Sequence, residues 1–333
     1  MAYSFRVGTF NVLNLILPNQ IYYGKEKYTQ EQYDKKIAWI AQQLDNMQVD
    51  IVGFQEVFSE EALKDVLQKT QNLKNAHIFV AKNSENDKPS VAVVSRFPIT
   101  NTQSHLQLEV PVALEGMEAM PVEKFTRPIL EVEIEVKEGK KINFYVAHLK
   151  SKRPILLESE SRDNPLDQAK GEARSLLCRI NEAVNLRAIL LKKLKDRDLP
   201  LILVGDLNDT TTAVTTQIIS GNPPFRKWPM EVKKNIWDVV LYHVKNLQAR
   251  KSMQDMYYTH IHNGHYESLD HILVSQEFVS ENKNGDWVVE YVRVFNDHLV
   301  DGTLSDDEVN YWQSDHAQVV AIIEEKFREN HHH

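Results

Sequence analysis

Residues 201–209 read LILVGDLND. The apolar run Leu201–Val204 has the length and branching of a buried strand, and it gives way abruptly to Gly205, Asp206, Leu207 and Asn208. A carboxylate placed where a rigid strand ends projects from a fixed position, and that is the setting in which polar side chains most often do chemistry. Working outward in both directions, the same design recurs in Thr9-Phe10-Asn11, Phe54-Gln55-Glu56, Val146-Ala147-His148, Leu269-Asp270-His271 and Ser314-Asp315-His316. One acidic strand end is ordinarily a solvated terminus; six polar strand ends in one chain call for a shared site.

The segments between them set the fold class. Apolar or β-branched runs at Phe5–Asn11, Ile51–Phe54, His77–Ala81, Val91–Val94, Ile129–Val136, Ile142–Ala147, Leu269–Val274, Val288–Val294 and Ala317–Ile323 predict further strands. Helices are predicted between some of them. One starts at Thr29, with Gln32 three residues on as a capping box and Ile37, Ile40, Ala41 and Leu44 at helical spacing. A second runs over Ser59–Lys69. The longest covers Asp167–Lys195 and is expected to lay Leu176, Ile180, Ala183, Val184, Leu190 and Leu194 on a sheet. Strands mixed with covering helices, without a composition break or Gly/Ser linker, predict one domain over residues 1–330. Polar or mixed stretches at Thr102–Lys124, Lys152–Pro165 and Asn296–Ser314 are expected as loops around the site.

The order of these motifs resembles the endonuclease/exonuclease/phosphatase family, which includes deoxyribonuclease-like nucleases, sphingomyelinases and inositol polyphosphate phosphatases. The resemblance runs from GTFNVLN through DIVGFQEV, VAHLKS, GDLND and SLDHILVS to SDHAQVV, across residues 5–324. It implies an α+β, deoxyribonuclease-like four-layer sandwich, two packed mixed sheets flanked by helices, and a divalent-metal-dependent phosphoesterase. Glu56 is the implied metal-binding residue, and Asp270 the partner that fixes His316.

The residue chemistry agrees with that family. Glu56 and Asp315 are hard oxygen donors suited to Mg²⁺ or Mn²⁺, with Ca²⁺ also accommodated. Asp206 is the candidate to orient and deprotonate an attacking water, with Asn208 expected on the same side of an extended segment to bind a phosphate oxygen. Asn11 is expected to reinforce Asp206 or the metal shell. His316, as base or cation, and His148 are expected to face the phosphate, and Lys150 to contact phosphate or substrate. His271 points to the opposite face and reads as structural.

Composition narrows the partners. The chain has 333 residues, 42% hydrophobic, with a formal charge of −8. This balance argues against a protein that holds nucleic acid through a broad basic surface. The expected substrate is a phosphate ester, first a phosphodiester with DNA or RNA included, second a lipid or small-molecule ester, with a non-catalytic binding module a distant third. Two local basic clusters stand out, Lys150, Lys152 and Arg153, and Arg226, Lys227, Lys233 and Lys234 interleaved with Phe225 and Trp228, which have the composition to stack bases. A single cysteine excludes an intrachain disulfide. No apolar run reaches the length of a membrane span, and the lack of a signal-peptide pattern predicts a cytoplasmic location. Residues 331–333, all histidine, resemble an added affinity tag.

Overall fold

A computed structural model describes residues 3–326 except 25–26, 84–87, 117, 119–121, 197–198 and 253–256; the terminal histidines 331–333 lie outside the described residues. The strands in chain order are β1 (Ser4–Leu15), β2 (Ile51–Val57), β3 (His77–Val80), β4 (Ser90–Ser95), β5 (Ile99–Gln107), β6 (Lys124–Lys137), β7 (Lys140–His148), β8 (Leu201–Asp206), β9 (Tyr242–His243), β10 (His260–His262), β11 (His265–Glu267), β12 (Asp270–Val274), β13 (Trp287–Phe295) and β14 (Gln318–Glu325). The helices are α1 (Gln30–Met47), α2 (Glu60–Lys69), α3 (Pro165–Asp196), α4 (Val214–Ser220), α5 (Met230–Trp237) and α6 (Val244–Lys251).

Two mixed sheets result, ordered β13-β14-β1-β2-β4-β3 and β5-β6-β7-β8-β12-β9, with β10 and β11 forming a separate hairpin. Because side chains alternate along a strand, each central strand feeds two cores. Val91, Val93, Ile202 and Val204 face the other sheet and pack between the two. Ala92 and Val94 turn outward to the core that holds Ile37, Ile40, Ala41 and Leu44 of α1 and Leu63 and Val66 of α2. Leu201 and Leu203 meet Ala183, Leu186, Leu190 and Leu194 of α3. The layers are helix, sheet, sheet, helix, as the resemblance implied. The capping box on α1 is present, with Thr29 Oγ1 accepting from Gln32 N and Gln32 Oε1 accepting from Thr29 N.

Two expectations require correction. Thr102–Gln107 is strand, the end of β5; ITNTQSHLQ lies at a sheet edge with six of its nine residues exposed, five of them in succession on both faces, which removes the apolar signal. In α3 the N-terminal half turns a polar face inward: Ser175, Arg179 and Glu182 are buried, while Leu176 and Leu177 are exposed. Those polar groups brace loops. Ser175 Oγ donates to Arg153 O, Arg179 Nε to Asp209 Oδ2 at 2.7 Å, and Glu182 accepts from the backbone of Thr126 and Lys150.

Strand direction gathers the motifs on one rim. β1 and β2 run parallel across α1, with Asn11 opposite Gln55, and β7 and β8 run parallel across α3, with His148 opposite Asp206. Parallel neighbours end at the same edge. β12 is antiparallel to β8 and starts with Asp270 opposite Asp206, and β14 is antiparallel to β1, so Asp315 and His316, just before it, fall beside the end of β1.

Candidate active site

Asp206 is the hub. It is 2% exposed, and its Oδ2 accepts from Asn11 Nδ2 at 3.2 Å, with His148 Nε2 at 3.4 Å and His316 Nε2 at 3.6 Å. Gly205 makes this approach possible: its φ of +151° and the Ala147 carbonyl, 1.9 Å from where a Cβ would stand, leave no room for a side chain between the ends of β7 and β8. Burial pushes the Asp206 carboxyl up to about 6; His316 opposes this, Asp270 reinforces it, the Asn208 amide opposes it and Glu56 reinforces it.

His316 and Asp270 form a pair, Nδ1 to Oδ2 at 2.8 Å. Burial alone would lower the imidazole pKa, but Asp270 and then Asp206 override it and hold it well above the ordinary value. The backbone around the pair is fixed by Ser314 Oγ, which donates to Asn11 O at 2.7 Å and accepts from His316 N at 3.0 Å. His148 has the reverse environment: burial, then Arg127, then His316 hold its pKa well below the ordinary value, so it is neutral near pH 7.

Glu56 sits at φ +64° at the end of β2, a strained conformation held by its partners: Oε2 accepts from Asn14 N at 3.1 Å and Oε1 from Asn11 Nδ2 at 3.4 Å. Asn11 therefore links the Glu56 and Asp206 carboxylates. Asn208 is also left-handed, φ +55°, not extended as expected; its N donates to Asp206 Oδ1 and its Nδ2 to Leu149 O. Asp315 faces His260, with Nε2 to Oδ2 at 3.8 Å. Burial raises its pKa, but the neighbouring His260 ring and the charge of His316 prevail and hold the carboxyl well below its usual range. Lys150 is not brought into the group: its ammonium donates to the carbonyls of Ser151 and Arg153 and closes the loop after β7.

Further side chains complete the surroundings of the site. Arg127 donates to Leu149 O, the same carbonyl that holds Asn208. Arg96, just after β4, pairs with Asp50 at 2.8 Å before the start of β2, at the opposite end from Glu56. Lys36 of α1 is fully buried, its Nζ without a hydrogen-bond partner; burial lowers it to about 8 against the opposing charges of Glu56 and Asp315. Asp209 is locked by Arg179 and by Thr215 Oγ1 at 2.6 Å, and His271, buried on the opposite face, bonds Asp209 O. The signal for Asp209 was available, as the last residue of GDLND; that for Lys36 was hidden in a helix otherwise read for its apolar face.

The donor set suits a hard dication. Asp206, Asp270 and His316 offer ligand atoms within 4.8 Å of one another, as do His260, Asp315 and His316. Asp270 Oδ1 and Asp315 Oδ1 are buried without hydrogen-bond partners, and a cation would satisfy such carboxylate oxygens. Glu56 belongs to neither group of three and is tied in through Asn11.

This chain belongs to the Endonuclease/Exonuclease/phosphatase family, whose model matches residues 8–316. It is a hydrolytic phosphoesterase of that family, built on the two-sheet fold its structural relatives share. The human Nocturnin catalytic domain, solved with a bound sulfate anion, is 15% identical, with 97% of this chain and 95% of that one covered at a TM-score of 0.56. A Bacteroides thetaiotaomicron mannosyl-6-phosphatase is 18% identical, with 97% and 100% covered at 0.57. A humanized D. rerio TDP2 is 13% identical, with 96% and 98% covered at 0.55. Among curated proteins no relative matches. No helix among the described residues is long and apolar enough to cross a membrane.

Proposed function

We propose that this protein hydrolyses a phosphate ester with a divalent cation, Mg²⁺ first, and that Asp206 orients and deprotonates the attacking water. The observation that carries the reading is the convergence of Asn11, His148 and His316 on one oxygen of Asp206, each within 3.2–3.6 Å. A carboxyl raised to about 6 is a competent base just above that pH. Asn11 holds the carboxylate, while the Asp270–His316 pair presents a positive charge to the negative charge that builds on the phosphoryl oxygens. Neutral His148 supplies a donor on the other flank. Glu56 and Asp315 would hold the cation, which would supply Lewis-acid neutralisation of the phosphate and of the leaving oxygen.

A phosphodiester, DNA or RNA included, is the substrate class proposed first, on the motif resemblance. A small phosphate ester is the second reading, and a specific observation favours it: the basic clusters are not free in the cleft. Lys150 is bound to its own loop and Lys152 pairs with Glu267 at 3.0 Å. The Phe225–Lys234 segment is anchored at both ends, through Ser220–Leu241 and Asp238–Gln276, beyond the Val274 end of β12, about 13 Å along the strand from Asp270. The mannosyl-6-phosphatase shows that a protein of this fold acts on a sugar phosphate.

The test is an assay of EDTA-treated protein, with Mg²⁺ or Mn²⁺ restored, against plasmid DNA, RNA, bis(p-nitrophenyl) phosphate and sugar phosphates. Metal-dependent turnover lost in D206A is expected. Turnover of every substrate by D206A at the wild-type rate would overturn the assignment.

A further inference from the structure

The hairpin β10–β11 lies outside both sheets, yet it is fastened to the site on two sides. Thr259 N donates to Glu267 O across the hairpin, Thr259 Oγ1 accepts from Leu269 N and Asp270 N, and Thr259 O accepts from Ala317 N at 2.7 Å. Thr259 thus bridges the start of β12 and the turn that carries Asp315 and His316. Two further contacts steady the hairpin: Tyr266 Oη donates to Asp301 Oδ2 at 2.7 Å, and Lys152 Nζ to Glu267. The next residue along, His260, is held at the rim as a consequence.

Its ring lies 4.8 Å from that of His316 and turns Nε2 toward Asp315 Oδ2 at 3.8 Å. Nδ1 of His260 and Oδ1 of Asp315 are both buried without a hydrogen-bond partner. Ligand atoms at about 2.1 Å from one ion stand roughly 3 Å apart when adjacent and roughly 4 Å apart when opposite, and the observed spacing falls between. The third member of the group, His316, is already turned by Asp270, and its role is toward the phosphate.

We propose that His260 is a metal ligand of this site, sharing with Asp315 a dication that accepts imidazole, and that it tilts the enzyme's metal preference from Mg²⁺ toward a first-row transition ion such as Mn²⁺. The inference rests on the reading of Asp315 as a metal-facing carboxylate. Its chemical basis is the donor type: an all-oxygen set suits Mg²⁺ and Ca²⁺, and one nitrogen donor raises the affinity for ions later in the first row while adding little for Mg²⁺. A hairpin held by hydrogen bonds to both flanking motifs, rather than a mobile loop, supplies the rigidity such a ligand needs.

The experiment uses the full chain, with Mn²⁺ alone as the probe. Free Mn²⁺ is followed by its EPR signal, and Mg²⁺ by calorimetry, for the wild type, H260Q and D315N. Mn²⁺ affinity is expected to fall about 10- to 100-fold in H260Q while Mg²⁺ affinity changes by less than about threefold. Pulsed EPR of Mn²⁺-loaded wild type should show nitrogen modulation from a bound imidazole, lost in H260Q. Absent modulation in the wild type overturns the proposal whether or not the variant folds. Modulation unchanged in H260Q assigns the nitrogen to another histidine and overturns it equally. Mn²⁺ binding that survives H260Q but is lost in D315N defeats only the role of His260; a wild type that binds neither ion defeats the metal reading of the site as well.

Discussion

His316, delivered by the turn before β14 in the first sheet, and His148, delivered by the end of β7 in the second, approach the same oxygen of Asp206 at 3.6 and 3.4 Å. Both are buried, and burial disfavours charge on each. They nevertheless settle in opposite states. Behind His316 stands Asp270, a carboxylate 2.8 Å from Nδ1; near His148 the first charge felt is Arg127. Asp270, with Asp206 second, keeps His316 charged, whereas burial first and Arg127 second keep His148 neutral, although both rings approach the same carboxylate. The cleft therefore has a cationic wall on the side of the first sheet and a neutral one on the other, which suits a reaction that gathers negative charge on one flank and moves protons on the other.

Removing the shared carboxylate should have the largest effect. D206A is expected to lower kcat by about 10³- to 10⁴-fold, with the thermal transition little changed, because the variant loses the base and its anchor for water together. Steady-state kinetics and calorimetry on one sample decide it.

Next comes the asymmetry itself. D270N leaves His316 in place and should reduce kcat about 10²- to 10³-fold, since the imidazolium is no longer favoured. The pH profile sharpens the test. In the wild type, turnover is expected to rise through about pH 6 as Asp206 ionises, and to persist above that because Asp270 keeps His316 protonated. Without Asp270 the folded-state pKa of His316 falls, so the alkaline limb moves to lower pH; a limb that stays put would show that His316 acts in its neutral form.

On the neutral wall the effects should be smaller. H148Q keeps a donor without a titrating ring and should cost about 10- to 10²-fold in kcat with no change in the acid limb. R127M should alter kcat least, about threefold, while the His148 pKa rises once the neighbouring guanidinium is gone. A two-dimensional NMR titration of the histidine rings reads that shift directly, and an unchanged His148 pKa would mean that burial alone keeps it neutral.

Much of this layout was legible because strands and their polar ends are encoded locally, whereas the direction in which they pair is not. Apolar runs located β1, β2, β4, β7, β8, β12 and β14, and Thr29 with Gln32 marked the start of α1. What escaped was encoded by neighbours distant in the chain. β5 is exposed over five consecutive residues, on both faces of the strand, and shows no apolar period. The buried face of α3 near its start is polar because it meets loop backbone, not sheet, so Leu176 was assigned inward and lies outward. Asn208 was placed on an extended segment, yet its backbone is left-handed to let its N reach Asp206. His260 and Lys36 lie far along the chain from the carboxylates they approach, and no pattern within their own elements announces that approach.

Gly53 of β2 lies against the other sheet; a Cβ there would stand 2.4 Å from Val204 and 2.9 Å from Val146. Like Gly205, it contributes no atom to any proton transfer. A methyl on Gly53 would press the two sheets apart and lengthen the reach of Asn11 to Asp206, and one on Gly205 would part β7 from β8 and lengthen that of His148. A saturation-mutagenesis screen for activity should therefore score these two glycines as intolerant as Asp206, and a map of functional residues drawn from such intolerance alone would count two spacers as chemistry.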